Sequence, residues 1–227
     1  MTDAKLVILR HGQTDYNAKH LMTGQRDIPL NKTGEAQARQ AGGLVRDIRF
    51  DKVYSSTLSR AFNTAALVLE SSGTQKHLQD GDSGFRIERR AEIIEMDNGD
   101  YTGRCKDDPD VAALILKSDH VPWPGGESVD DVVARVRKFY EAELLPRLEK
   151  GENVMVVAHN VVLRAFEIVL GAETPGVKRK IPNAAPAVFE YADGALKRFY
   201  YPEAPQTPAN QDAKPAQKRK NGQGPAI

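Results

Sequence analysis

The 227-residue chain has almost no cysteine, no excess of one charge and no long apolar run. Its single cysteine, Cys105, excludes an internal disulfide and suits a reducing compartment. Lys plus Arg number 32 against 31 Asp plus Glu, so the composition gives no argument for nucleic acid or a membrane surface as a partner. No apolar stretch approaches the roughly 20 residues of a membrane span. The cytoplasm is therefore the expected compartment, and any anion-binding site must be local.

Strand patterns alternate with helical patterns along most of the chain. The predicted strands are 5–10, 52–56, 86–94, 153–159, 187–191 and 196–201, and the predicted helices are 33–48, 58–70 and 128–148. This alternation indicates an α/β fold of three layers, with a mostly parallel sheet and helices on both faces. The last two strands are joined by Asp193-Gly194, which favours a hairpin at an antiparallel edge.

Two segments fall outside this pattern. Residues 71–84 are polar and contain three glycines, which predicts an exposed loop. Residues 202–227 hold five prolines and almost nothing to bury, which predicts a disordered tail. The expected organisation is one catalytic domain over 1–201 followed by this tail. The sequence leaves open whether the protein forms a homo-oligomer.

Two of the predicted strands end in a histidine. The run K-L-V-I-L-R leads into His11, and the run N-V-M-V-V-A leads into His159. Open α/β sheets bind ligands at the carboxyl ends of their strands, so we expect the two imidazoles to face one crevice. An imidazole can form a covalent intermediate, and the guanidinium of Arg10 beside it can hold two oxygens of a phosphoryl group.

An arginine and a group of carboxylates complete the candidate chemistry. Arg60 follows a short strand and opens a predicted helix, where unpaired N–H groups also favour anions. Glu95 precedes a glycine-rich loop, and a carboxylic acid there could protonate an alkoxide leaving group. Glu92 and Asp97 compete for that role, and spacing alone does not separate the three.

Five segments, in this order, resemble the histidine phosphatase superfamily, whose best-known branch is the cofactor-dependent phosphoglycerate mutases. They are L-R-H-G-Q-T-D-Y-N at 9–17, Thr23-Gly24, P-L-N-K-T-G-E-A-Q-A at 29–38, S-S-T-L-S-R-A at 55–61 and A-H-N-V-V-L-R-A at 158–165. The resemblance covers about residues 5–200 and implies the mutase-like three-layer fold.

The resemblance also implies roles for individual residues. His11 would be the nucleophile that becomes phosphohistidine, flanked by Arg10, while Arg60 and His159 would bind the phosphoryl oxygens. Glu95 matches the proton donor because it lies four residues before Gly99 in the pattern E-x-x-x-G. Substrate contacts are expected from four further residues: Asn17, Thr23, Gly24 and Asn160.

The phosphoryl acceptor decides between a hydrolase and a mutase. Residues 103–127 are a short segment without the paired arginines that mutases carry, and His159 is followed by N-V-V where mutases have G-N-S. Residues 181–186 nevertheless resemble the corresponding mutase stretch. We therefore predict a metal-independent phosphatase of the histidine acid type that needs no cofactor and acts on a small phosphorylated metabolite. The alternatives are a 2,3-bisphosphoglycerate-dependent mutase and an inactive binding module of the same fold.

Overall fold

A six-stranded sheet forms the centre of the protein. The computed structural model describes residues 3–80, 84–116, 120–172 and 181–202. The strands are β1 (Asp3–Arg10), β2 (Lys52–Ser56), β3 (Gln79–Asp80), β4 (Gly84–Phe85), β5 (Glu88–Arg90), β6 (Val154–Ala158), β7 (Pro186–Ala192) and β8 (Ala195–Tyr200). The sheet order is β5-β2-β6-β1-β7-β8, and β3 pairs separately with β4. The first four strands in this order run parallel, and β7 and β8 form the predicted antiparallel edge.

Helices cover both faces of this sheet. They are α1 (Asp15–Ala18), α2 (Lys32–Leu44), α3 (Ser59–Ser72), α4 (Pro109–Leu116), α5 (Val129–Phe139), α6 (Leu145–Glu149) and α7 (Asn160–Val169). The side chains of Leu6 and Ile8 pack into the core under α5, α6 and α7, whereas those of Val7 and Leu9 pack into the core under α2 and α3. Successive strand residues point to opposite faces, so an unbroken apolar run serves both cores. The predicted three-layer fold class is thereby confirmed.

The predicted strand 86–94 is too long. It pairs only over Glu88–Arg90, because its parallel partner β2 ends at Ser56 and offers no backbone beyond that residue. The chain then forms a 3₁₀ turn over Ala91–Ile93, which buries Ile93. Glu95 consequently lies in the loop after this turn and not at the end of a strand.

The prediction of an exposed loop over 71–84 is wrong in part. Helix α3 continues to Ser72, and a 3₁₀ turn over Lys76–Leu78 precedes β3. The side chain of Gln75 is buried and bonds the backbone of Phe50 and Ile48, while Leu78 joins the core. The Gln75 side chain takes the place of a backbone hydrogen-bond partner for these two residues. Nothing in the sequence distinguishes such a buried glutamine from one on the surface. Residues 81–83 lie outside the described part of the chain.

The predicted helix 128–148 continues past Pro146, but its hydrogen-bond pattern changes just before this residue. Helix α5 passes into a π-helical segment over Tyr140–Leu144, and α6 resumes with Pro146 in its first turn. The first turn of a helix tolerates proline because its N–H would have no intrahelical acceptor.

The structure describes little of the chain's end. Of the predicted tail 202–227, only Pro202 lies within the described residues. Across the described ranges, no helix has both the length and the apolar character needed to cross a membrane.

Candidate active site

His11 and His159 stand side by side at the carboxyl edge of the sheet. Strands β1 and β6 are parallel neighbours in which Arg10 pairs with Ala158, so the next residue of each strand is a histidine. The backbone N–H of His11 donates to the carbonyl of Ala158 at 3.0 Å. The two ring centroids lie 5.1 Å apart with the planes tilted by 59°. Strand register therefore produces the juxtaposition that the sequence predicted.

The backbone after His11 packs so closely against α2 that only glycine fits at positions 12 and 34. A Cβ on Gly12 would lie 2.3 Å from the carbonyl oxygen of Gly34 in the first turn of α2, and a Cβ on Gly34 would lie 2.1 Å from the carbonyl oxygen of Gln13. The N–H of Gly12 also donates to the hydroxyl of Thr64 on α3 at 3.0 Å. Two helices thus fix the backbone that carries His11.

A backbone carbonyl sets the tautomer of His11. Its Nδ1 lies 2.6 Å from the carbonyl oxygen of Gly12, and because a carbonyl can only accept, Nδ1 carries the hydrogen. In the neutral ring, Nε2 then holds the lone pair. Burial lowers the pKa of His11 well below its ordinary value, and the nearby charges of Arg60 and Arg10 lower it further. Both effects favour the neutral ring, whose lone pair on Nε2 is available to attack an electrophile.

Two buried arginines are oriented by backbone carbonyls. Nη1 of Arg10 donates to the carbonyl of Ile181 at 2.7 Å. Arg60, at the start of α3, donates from Nη1 to Arg26 at 2.7 Å and from Nη2 to Gly24 at 2.9 Å. Burial lowers the pKa of Arg60 to about 10, and the carboxylate of Glu95 opposes that shift. Both guanidinium groups remain charged at neutral pH.

Several buried polar atoms lack a hydrogen-bond partner within the described residues. They are Nε of Arg10, Nε of Arg60, both ring nitrogens of His159 and Oδ1 of Asn160. Burial lowers the pKa of His159 well below its usual range, with the charge of Arg60 as the next cause. Unpartnered buried groups are costly. The N–H groups of Arg10 and Arg60 and one N–H of the His159 ring suit the oxygens of a phosphoryl group.

Geometry separates the three carboxylates that the sequence left open. Glu95 lines the cavity in front of His11 and accepts backbone N–H groups from Asn160 at 3.1 Å and Val161 at 3.3 Å. Glu92 instead pairs with Arg90 at 2.8 Å, and Asp97 accepts the N–H of Gly99 at 2.8 Å. Glu95 is thus the carboxylate positioned toward the two histidines and arginines.

A cavity of about 560 Å³ opens in front of these residues. All four predicted substrate contacts line it, together with four of the five predicted catalytic residues: Asn17, Thr23, Gly24, Asn160, Arg10, His11, Arg60 and Glu95. The fifth, His159, is fully buried beside the ring of His11. The structure thus brings every predicted site residue to one place.

Sequence reasoning missed several residues of the cavity. Asn183 donates from Nδ2 to the carbonyl of His11 at 2.8 Å, and Lys106 and Arg164 add positive charge to the lining. Arg164 could have been found, because it lies one helical turn after Asn160 and so shares its face of α7. Lys106 reaches the cavity through its N–H bond to the carbonyl of His20 at 2.8 Å, a contact between distant segments that no local pattern reveals.

Apolar side chains form the outer part of the cavity. Trp123 lines it and stacks edge-on against Tyr101, with ring centroids 5.7 Å apart. Leu114, Ile115 and Val121 line the same cavity. In the described ranges no group of three or more His, Cys, Asp or Glu is placed to hold a metal ion.

Comparisons with known proteins show the family of this chain. A family model of the histidine phosphatase superfamily (branch 1) matches residues 6–199. The 2,3-bisphosphoglycerate-dependent phosphoglycerate mutase of Methylobacterium sp. (strain 4-46) is 42% identical over 177 residues, which cover 74% of this chain and 81% of that protein. The protein of the same name from Xanthobacter autotrophicus is 35% identical over 202 residues, covering 85% and 94%.

Solved structures with the same fold include both a mutase and a hydrolase. The phosphoglycerate mutase from Bacillus anthracis has a TM-score of 0.72 at 25% identity, over 86% of this chain and 91% of that one. A mycobacterial glucosyl-3-phosphoglycerate phosphatase has a TM-score of 0.67 at 27% identity, over 87% of this chain and 96% of that one.

Proposed function

The chain belongs to the histidine phosphatase superfamily, and from this premise we propose that it is a metal-independent phosphatase that hydrolyses phosphomonoesters through a phosphohistidine at His11. The catalytic unit in this proposal is residues 1–201, and the substrate is a small phosphorylated metabolite. The observation that carries the proposal is the placement of His11, whose ring is buried beside His159 with Nδ1 bonded to the carbonyl of Gly12. Burial and the charges of Arg60 and Arg10 lower its pKa and so favour the neutral ring.

The first half-reaction transfers the phosphoryl group to the enzyme. Nε2 of His11 attacks phosphorus as the bond between phosphorus and the ester oxygen breaks, and Glu95 passes to the leaving alkoxide a proton that it takes from the bound phosphate monoanion. Arg10, Arg60 and His159 hold the phosphoryl oxygens. Phosphoryl transfer depends mainly on such positioning and on neutralisation of charge.

The second half-reaction regenerates the enzyme. The carboxylate of Glu95 takes a proton from water as the water oxygen attacks the phosphohistidine, and the bond between phosphorus and Nε2 breaks. Phosphate leaves with this proton, His11 is neutral again and Glu95 is again a carboxylate. One water is consumed for each alcohol and phosphate released.

The composition of the outer cavity favours water over a second substrate as the acceptor. Residues 103–127 place four apolar side chains in the cavity, those of Leu114, Ile115, Val121 and Trp123, beside Lys106 and Asp107. This segment lacks the paired arginines that the corresponding segment of the mutase branch carries. A mycobacterial relative in fold is a hydrolase by name, glucosyl-3-phosphoglycerate phosphatase. Both observations support hydrolysis.

Mutase activity is the second candidate. Relatives at 35–42% identity are named 2,3-bisphosphoglycerate-dependent phosphoglycerate mutases. Lys106 and Arg164 line the cavity and are cations that could contact the second anionic group of a bisphosphoglycerate, while Arg10 and Arg60 hold its first. In that case the phosphoryl group on His11 would return to a second sugar acid, and no phosphate would be released.

A panel of phosphorylated metabolites separates the two candidates. Each compound, 3-phosphoglycerate among them, is incubated with the full chain in the presence and absence of 2,3-bisphosphoglycerate, and both inorganic phosphate and 2-phosphoglycerate are measured. The proposal predicts phosphate release that needs no bisphosphoglycerate and disappears in His11→Ala. Production of 2-phosphoglycerate that depends on bisphosphoglycerate, without matching release of phosphate, would establish the mutase instead.

A further inference from the structure

The exposed large apolar side chains of the described residues gather in one place. They are Ile115, Leu116 and Val121, with exposed fractions of 39%, 81% and 48%. All three belong to the segment that forms the outer cavity, and Ile115 and Val121 line the cavity itself. Scattered apolar surface is ordinary, but a cluster at the mouth of a binding cavity marks a surface that a ligand covers.

The inner wall next to this cluster is also apolar and is held rigidly. The side chain of Trp123 is buried and packs edge-to-face against Tyr101. Its backbone N–H donates to the carbonyl of Glu127, and its backbone carbonyl accepts the N–H of Gly126. Leu114 packs against the same core. Trp123 and Leu114 are therefore held in place by the core and provide a preformed part of the apolar surface.

Resting on the proposed function, we infer that the preferred substrates are phosphomonoesters whose alcohol part carries an apolar group, and that this group lies on the apolar wall formed by Leu114, Ile115, Val121 and Trp123. The phosphoryl group occupies the part of the cavity formed by Arg10 and Arg60 beside His11, which we call the cationic floor, as proposed above. The cavity of about 560 Å³ falls within the usual size range for sites of drug-sized ligands and extends beyond the cationic floor. The removal of apolar surface from water then supplies the selectivity between alcohols.

Alkylphosphonates test this inference without requiring turnover. Ethyl-, butyl- and hexylphosphonate share one anionic group and differ only in apolar length, and their dissociation constants are measured by calorimetry on the full chain. Each fully buried methylene is worth about fourfold in affinity, so partial burial of four should tighten binding at least about tenfold from ethyl to hexyl. Equal affinity across the series would overturn the inference.

Point variants locate the effect. Ile115→Ser and Val121→Ser should each reduce the ratio of hexyl to ethyl affinity by about threefold, and the double variant should remove most of it. Leu116→Ser is the matched control, since Leu116 neighbours Ile115 on α4 but does not line the cavity, and it should preserve the ratio. An equal loss of the affinity ratio in Leu116→Ser would overturn the inference. It would also be overturned if the hexyl-to-ethyl ratio stayed near one while Leu116→Ser and Ile115→Ser both abolished self-association. That second result would assign the cluster to contact between copies of the chain.

Kinetics on the matching esters keep the two proposals apart. Ethyl and hexyl phosphate have similar alkoxide leaving groups, so their difference in kcat/KM reports the alcohol contacts. No hydrolysis of either ester, with phosphonate affinity still rising with length, would overturn the proposed function and leave the apolar wall established. Hydrolysis of both esters at equal kcat/KM, with phosphonate affinity that does not change with length, would overturn the inference about the apolar wall and leave the proposed function standing.

Discussion

The side-chain oxygen Oε2 of Glu95 accepts a hydrogen bond from the backbone N–H of Asn160 at 3.1 Å. Asn160 is the first residue of α7 and directly follows His159, so this bond attaches the loop of the candidate acid to the strand end that carries the second histidine. A second bond, from Val161 at 3.3 Å, fixes the carboxyl group further. Glu95 and His159 are thus joined at the N-terminal end of α7.

Replacing the acid should slow the reaction according to the leaving group. Glu95→Gln keeps a similar shape but has no acidic proton to donate, so we expect turnover of an alkyl phosphate to fall roughly 10²- to 10⁴-fold. Phosphorylation of His11 by p-nitrophenyl phosphate, whose leaving group needs little protonation, should slow far less. Rapid-quench measurement of the phosphorylation rate with both substrates checks this.

The control for this experiment is Glu92→Gln, which alters a carboxylate paired with Arg90 outside the cavity and should leave both rates nearly unchanged. Equal slowing with both substrates in Glu95→Gln would make Glu95 a structural residue. If the dependence on the leaving group appeared in Glu92→Gln or Asp97→Asn, that residue would be the acid.

The buried histidines should make the fold sensitive to acid. Burial lowers the pKa of His159 in the folded state, whereas in the unfolded chain the group titrates near 6.5. Above that pH neither state is protonated and there is no penalty. As pH falls below 6.5 the unfolded state takes up the proton first, so stability is lost until the folded pKa is reached.

We expect this group to lower the free energy of unfolding by about 1 kcal/mol between pH 6.5 and 5.5. Urea unfolding of the parent chain and of His159→Gln at both values measures it, and the variant should lose less stability over this interval. An equal loss in both proteins would mean that His159 does not stay neutral in the folded state.

Two glycines of α2 should respond oppositely to alanine. A Cβ on Gly34 would lie 2.1 Å from the carbonyl oxygen of Gln13, whereas a Cβ on Gly43 would meet nothing within 4 Å. Gly34→Ala should therefore destabilise by about 2 kcal/mol or more through overpacking, and also lower activity by displacing the loop of His11. Gly43→Ala should stabilise by about 0.5 to 1 kcal/mol, since alanine is the better helix former. Denaturant unfolding of the two variants measures the change in the free energy of unfolding for each. A loss of stability in Gly43→Ala would contradict the packing described.

Chelation should leave the reaction intact. The described residues hold no group of three or more candidate ligands, and Arg10 and Arg60 already provide positive charge at the phosphoryl site. We expect the rate of phosphate release to be the same before and after EDTA treatment. A loss of activity that magnesium restores would mean that the site has been misread.

The sequence predicted those parts of the site that depend on local transitions. His11, His159 and Arg60 each lie where a strand pattern stops, and strand ends and helix starts can be recognised from a few neighbouring residues. Glu95 was ambiguous because its separation from Glu92 depends on a 3₁₀ turn and on contacts with α7, which lies more than sixty residues further along the chain. Tertiary contacts alone distinguish these carboxylates.

Other features depended entirely on contacts between distant segments. Lys106 and Trp123 reach the cavity because their segment packs against residues 20–22 and Tyr101, and a polar or apolar residue in a loop carries no signal of that kind. Gln75 was predicted to lie in an exposed loop because it is polar. A polar side chain can nevertheless be buried when it bonds the backbone, as Gln75 does with Ile48 and Phe50. Local sequence patterns therefore predicted the histidines and arginines beside the phosphoryl position, but not the residues of the outer wall.

Trapping the phosphoenzyme tests the central claim most directly. The full chain is mixed with radiolabelled p-nitrophenyl phosphate, quenched in alkali within milliseconds and digested, and the labelled peptide is sequenced by mass spectrometry. The account predicts a base-stable, acid-labile phosphoryl group on His11 that forms and decays at rates compatible with turnover and is absent from His11→Ala. Label that survives acid, that maps to another residue or that persists in His11→Ala would contradict it.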